Sequence, residues 1–220
     1  NLLLIVIKDI WLTSFGAWVR VFNLPDPADL GRLTTLVYAV LVVGTAVAAT
    51  LYLFFTPRED SETSRSKPLP WAPGALLLGL LGLLLAGPPY WLVGLPVSLD
   101  FPNSRLTLSF ILGASLLVGG VLGILPLPRL PRLLILGLCL SMAAGLHFQT
   151  ANTFRRDGDI QKLFFWQMSW RIPALEPGTA LLFEELPLHY STDNSLTAML
   201  NWIYSPDNDS AVMDYYLFYP

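Results

Sequence analysis

The stretch "LTTLVYAVLVVGTAVAATLYLFF" occupies Leu33–Phe55 and carries no charge. A helix needs about 20 consecutive apolar residues to cross the hydrocarbon of a bilayer. A run this long and this apolar reads as a membrane span rather than as a core element of a soluble fold. It sets the fold class as an α-helical integral membrane bundle. The composition agrees: 54% of the 220 residues are hydrophobic and 13% are charged. A soluble domain carries about 25% charged residues.

Three further spans are expected on the C-terminal side of this one. Trp71–Leu99 is free of charge but holds Pro88 and Pro89. The span is expected over about 71–95, with a regular core to about 87 and "PPYWLVGLP" as a kinked end in the aromatic belt. The other two are expected over about 106–125, after Arg105, and about 133–150, after Arg132. Residues 33–150 thus form a bundle of four transmembrane helices with no Asp, Glu, Lys or Arg inside the spans. Ion-coupled carriers and proton pumps need such groups in the membrane, so a transporter core is disfavoured. Ser115, Gly119 and Gly123 recur at intervals of four, as do Gly137, Ser141 and Gly145. Small residues at that spacing let helix backbones approach closely in lipid. A seven-residue link joins these two spans, so they are expected to pack on each other antiparallel.

Residues 1–32 read differently. In "NLLLIVIKDIWLTSFGAWVRVF", Lys8, Asp9, Thr13, Gly16 and Arg20 fall near one helical face, and Trp11, Phe15, Trp18 and Phe22 near another. This amphipathic pattern favours a helix lying in the membrane interface over a clean span, the alternative for residues 1–22, with a linker after it. The links set the orientation. Residues 56–68 and 126–132 hold Arg58, Arg65, Lys67, Arg129 and Arg132, whereas the opposite side holds Arg20, Arg32 and Arg105. The positive-inside rule places the first pair in the cytoplasm and residues 151–220 outside. The expected location is a bacterial cytoplasmic membrane. Asn1 and Pro220 do not look like natural ends, so the chain is expected to be part of a longer one.

The 151–220 segment carries four basic and nine acidic residues. Phe154–Arg171 is expected to form a helix just outside the membrane, with Arg155, Arg156 and Lys162 toward lipid phosphates. "TALLFEE" (179–185) and "MDYYLFY" (213–219) read as strands around a helix capped by Thr192 or Asp193 and stopped by Pro206. A strand–helix–strand order favours a small extracytoplasmic α/β segment with parallel pairing, expected to be incomplete.

Two regions gather polar groups. At the mouth of a span, "LDFPNSRLT" holds Asp100, Asn103 and Arg105, and Arg105 can grip a carrier-lipid phosphate bidentately or serve as an anchor or a partner of Asp100. In the tail, Glu184, Glu185, His189, Tyr190, Asp193 and Asn194 follow the first strand, where α/β sheets place ligands. A carboxylate with a His can do acid–base work, although adjacent Glu residues in a strand point to opposite faces, and a solvated loop is the simpler reading. Cys139 stands alone, and His147 and His189 have no metal-ligand spacing, so no metal site is expected from the residues. The net charge of −3 gives no reason to expect nucleic acid.

The layout resembles the later part of bacterial multi-pass glycosyltransferases of the GT-C type, including the protein-mannosyltransferase-like group. The echoes are "PGTALLFEELP" (177–187), "LNWIYSP" (200–206) and "FPNSRLTLSFILG" (101–113). The resemblance implies transfer of a sugar from a polyprenyl-phosphate carrier on the outer face, often with a divalent metal. In that family the catalytic acid lies in the first outside loop. Asp9, Asp26 and Asp29 do not sit in that context, so no catalytic residue is carried over. Arg105 would contact the carrier phosphate, and the 184–194 loop would lie near the acceptor. The alternative is a non-catalytic membrane-anchored binding or scaffold protein whose partners are the bilayer and an envelope component.

Overall fold

The computed structural model describes residues 2–25, 32–56, 69–184, 186, 188, 189 and 191–219, with Asp193 described by its backbone alone. The chain divides into two compact units, Asn1–Gln149 and Thr150–Pro220. Five helices are long and apolar enough to cross a membrane: α1 (Leu2–Arg20), α2 (Leu33–Phe55), α3 (Ala72–Val93), α4 (Asn103–Ile124) and α5 (Arg129–Arg171).

Local chemistry explains where these helices break and stop. Helix α3 resets at Gly87, whose carbonyl accepts from the backbone N–H groups of Tyr90 (2.9 Å) and Trp91 (3.0 Å). Pro88 and Pro89 open the new turn, where their missing N–H groups leave no bond unmade. The turn closes on Gly94 at φ 73°, a left-handed geometry that favours glycine. Helix α4 opens as a 3-10 helix over Asn103–Phe110 and continues as α-helix over Ile111–Ile124. Leu83, Val97, Phe110 and Ala114 form a buried cluster between α3, α4 and the connecting segment, with Tyr90 stacked on Phe110 at 5.9 Å.

The close-packed seams differ from the expected pairing of the last two spans. Helix α4 packs along α3. A Cβ at Gly113 would stand 2.7 Å from Leu83 N and 2.8 Å from Gly79 O, and one at Gly123 would stand 2.7 Å from the Ala72 Cβ. Gly119, expected in the seam, has nothing within 4 Å, and Gly120 takes its place against Leu76. Gly145 of α5 faces Tyr38 and Val42 of α2, and Gly137 faces Thr50. The small-residue stripes do mark close approach, but each of the two helices meets a different partner.

The first helix also departs from its expected role. Asp9, Thr13 and Ser14 are buried, whereas Leu3, Trp11 and Val19 are exposed. A helix resting on a membrane surface turns its polar face to water; this one turns it into the bundle. Leu12–Gly16 widens to a π-helical turn, and the hydroxyl of Thr13 donates to the carbonyl of Asp9 at 2.7 Å.

In the second unit, α5 ends at Arg171, before Pro173. The expected separate helix at 154–171 is instead the second half of α5, one helix of 43 residues. Such a helix rises about 65 Å, roughly twice the hydrocarbon thickness. It is followed by β1 (Ala180–Leu182), α6 (Asp193–Tyr204) and β2 (Tyr216–Phe218). The strands pair in parallel, Leu181 opposite Leu217, as the strand–helix–strand order predicts. Phe165, Met168, Leu196, Leu200, Tyr215 and Leu217 form the core. The side chain of Thr192 caps α6 by accepting from Ser195 N. The Asn201 amide donates to the carbonyls of Thr197 and Tyr215, each at 2.8 Å. Its oxygen accepts from the N–H groups of Asp214 and Tyr215 at 3.0 and 3.1 Å, fixing the entry to β2 on α6.

Candidate functional site

The charged cluster of the first unit is built where α1 meets the end of α3 and the segment that follows. Arg20 Nη1 lies 2.7 Å from Asp100 Oδ1 and donates to the carbonyl of Leu99 at 2.7 Å. Eleven residues back along α1, the buried Asp9 accepts a hydrogen bond of 3.0 Å from the indole N–H of Trp91. Helix α1 is therefore fastened twice to the 91–100 stretch. The expectation that Arg105 partners Asp100 fails, because Arg20 takes that carboxylate. Arg105 is exposed and has no ion-pair or hydrogen-bond partner among the described residues. Asn103 opens the 3-10 turn of α4 two residues earlier.

The first unit also has an apolar groove of about 200 Å³. Phe15, Trp18 and Phe22 of α1, Val118 and Val121 of α4 and Cys139 of α5 are among its walls. These are three of the helices apolar enough to lie in a membrane. An unbranched or prenyl hydrocarbon chain suits a groove of this chemistry better than any polar ligand.

In the second unit the expected loop is only partly described. Glu185 and Tyr190 lie outside the described residues, as does the side chain of Asp193. Glu184 and Asn194 are exposed. His189 has a partner that sequence reading missed. Asp157, on α5 and 5% exposed, accepts the backbone N–H of His189 on Oδ2 at 2.8 Å, and its Oδ1 lies 3.1 Å from His189 Nδ1. The His189 side chain is 72% exposed. A sequence signal for Asp157 existed: it shares a helical stripe with Phe164, Phe165 and Met168, positions that pack into the core. An acid on a core stripe asks for a partner.

Elsewhere in this unit Tyr204 donates its hydroxyl to the carbonyl of Ile172 at 2.6 Å, and burial pushes its phenol above the ordinary range. Among the described residues no three His, Cys, Asp or Glu side chains come together to hold a metal ion. No protein-family model matches the chain, and neither a curated protein nor a solved structure similar to it was found.

Proposed function

We propose that this chain is the carrier-lipid-binding part of a membrane glycosyltransferase that takes sugar from a polyprenyl-phosphate carrier, with residues 151–220 on the extracytoplasmic face of a bacterial cytoplasmic membrane. One observation carries this reading: Arg105 is exposed and unpaired among the described residues, at the head of a membrane-length helix. A guanidinium so placed offers a planar fork of donors to a phosphate. The apolar groove supports the same ligand class, since a polyprenyl phosphate is a hydrocarbon chain ending in an anion. The catalytic acid of such an enzyme is not assigned to any residue here.

The test is binding of a polyprenyl phosphate to the protein in nanodiscs. Losing a charge-assisted contact costs about 1.5–3 kcal/mol, so Arg105→Ala should weaken binding roughly ten- to hundredfold. Lys8→Ala removes an equal charge from an exposed residue that also lacks a partner among those described, and should change little. Equal affinity of Arg105→Ala and the parent protein would overturn the reading.

A second reading is a membrane-anchored binding or scaffold protein without catalysis. Trp170 and Trp202 favour it, at 80% and 78% exposed, with Trp170 parallel to Trp166 at 6.3 Å. Large exposed aromatics are typical of recognition surfaces. Failure of carrier binding, with retention of an envelope polymer by the same protein, would favour this reading.

A further inference from the structure

The two edges of the β1–β2 sheet are finished differently. The ladder between the strands uses the Thr179 carbonyl, which accepts from Tyr216 N at 3.2 Å, and the Phe183 N–H, which donates to the Phe218 carbonyl at 2.9 Å. With Leu181 opposite Leu217 in a parallel pair, Leu181 also bonds toward β2, and Ala180 and Leu182 turn their N–H and C=O groups to the far edge of β1. The far edge of β2 is closed by α6. The Thr197 hydroxyl accepts from Leu217 N at 3.0 Å, and the Asn201 amide holds both the N–H and the carbonyl of Tyr215. The far edge of β1 is open: the N–H and C=O groups of Ala180 and Leu182 have no partner among the described residues. The faces are unequal too. Leu181 and Leu217 turn into the core, so the other face shows Ala180, Leu182, Tyr216 and Phe218, all exposed, with Leu182 at 78%. Parallel strands are ordinarily covered on both faces.

We infer that the open edge of β1 takes up an extended, basic segment of another protein as an added strand. This is independent of the carrier-lipid reading above. A row of unpaired N–H and C=O groups matches the backbone of an extended peptide, which carries the same groups at the same spacing. An antiparallel strand would set two of its residues in hydrogen-bonded pairs with Ala180 and Leu182, with their side chains on the exposed face of the sheet. Beside Leu182 and Phe218 those side chains should be apolar, so the segment is apolar at every second position. Charge selects the rest of it. Residues 172–220 carry seven Asp or Glu and no Lys or Arg, and the exposed Glu176 and Glu184 stand on either side of β1 in the chain. A basic segment meets those carboxylates favourably. A second copy of β1 would bring the same carboxylates against each other, and a lipid surface offers no backbone to pair with.

The experiment uses the full chain in nanodiscs of zwitterionic lipid and a short fluorescent peptide of alternating lysine and valine. Anisotropy is the readout, and empty discs are the blank. The parent protein should bind this peptide. The same peptide N-methylated throughout has no N–H to give to the Ala180 and Leu182 carbonyls and should bind about tenfold more weakly. A peptide of alternating glutamate and valine should lose at least as much. Ala180→Pro removes an N–H that β2 does not use, and an edge strand tolerates proline there, so the sheet should persist while binding falls about tenfold. Leu182→Lys changes a side chain that is already exposed and sets a like charge against the peptide. It should weaken binding by a similar factor, and it serves as the test if the proline variant does not fold. Absence of binding by the parent would overturn the inference, as would equal binding by the parent and Leu182→Lys. Equal binding of the N-methylated peptide would overturn it as well, because charge alone would then hold the peptide. Self-association of the parent that Ala180→Pro abolishes would overturn it in favour of a second copy on the same edge.

Discussion

Adding one methyl group at Gly113 tests the packing of α3 on α4. In Gly113→Ala the new Cβ would stand 2.7 Å from Leu83 N and 2.8 Å from Gly79 O. Both neighbours are backbone atoms, so no side chain can swing aside. The helices must open by roughly 0.6 Å, a gap that forfeits a quarter to a half of each dispersion contact it touches. At about 0.1–0.2 kcal/mol per atom pair and a few tens of pairs along the seam, the loss is about 1–2 kcal/mol, the usual scale of overpacking. Alanine also favours helix over glycine by up to about 1 kcal/mol, which works in the opposite direction. Gly119→Ala isolates that second effect, because its Cβ would meet nothing within 4 Å. The two variants should therefore differ by about 1–2 kcal/mol, with Gly119→Ala neutral or stabilising. Reversible unfolding in mixed micelles, followed by tryptophan fluorescence as SDS is added, measures this difference directly. If Gly119→Ala is as damaging as Gly113→Ala, the α3–α4 seam is wrong and the sequence-expected stripe through Gly119 is the real contact.

Three other perturbations follow from the hydrogen bonds. Trp91→Phe removes the indole donor from the buried Asp9 and should destabilise the first unit by about 2 kcal/mol; the same titration showing no change would mean that this bond does not fasten α1. Asn201→Ala deletes a side chain that satisfies two carbonyls and two N–H groups at the start of β2, with an expected cost of about 3 kcal/mol to the second unit. Retained amide-exchange protection at Tyr215 and Tyr216 in that variant would contradict it. Tyr204 has a folded pKa raised by burial, so its contribution is fully present below the unfolded value of about 10 and is lost as pH rises through the folded value. Tyr204→Phe should abolish that alkaline loss in a stability–pH series, at a cost of about 1 kcal/mol near neutrality from the missing bond to Ile172.

The long apolar helices were legible because their signal is local. Leu33–Phe55 announces itself by length and lack of charge, and α2 has those same bounds. The short strands and the Thr192 cap were legible for the same reason, each resting on a few neighbouring residues. What could not be read is which faces meet. A stripe of small residues says that a helix is approached closely but not by which helix, so Gly137 and Gly145 face α2 rather than α4. The amphipathic pattern of α1 says that its two faces differ. It does not say which faces inward, because inside and outside exchange meaning when the surroundings are lipid. The pairing of Asp157 with His189 spans 32 residues, and no periodicity reaches that far.

The arrangement of α1 also bears on Arg105, which has no partner among the described residues. In an apolar surrounding, a polar side chain left without a partner costs several kcal/mol, so such groups are turned inward and bonded. Several polar side chains of the first unit are so bonded, although the buried Tyr38 hydroxyl and Arg132 Nε are not. Asp9 is bonded to Trp91, Arg20 to Asp100 and Leu99, and Arg132 to the carbonyl of Leu125. Arg129 reaches the carbonyl of Phe54 at 2.8 Å. Helices α3 and α4 instead meet through glycines, which need no polar bond at all. Arg105, exposed at the head of α4, has no acceptor among the described residues, and the Asp100 carboxylate is held by Arg20. On the proposed reading, Arg105 would meet the phosphate of a carrier lipid and the apolar groove of the same unit its hydrocarbon. If a free phosphate binds Arg105 as well as a polyprenyl phosphate does, the groove contributes nothing. The carrier-lipid reading then loses its second support.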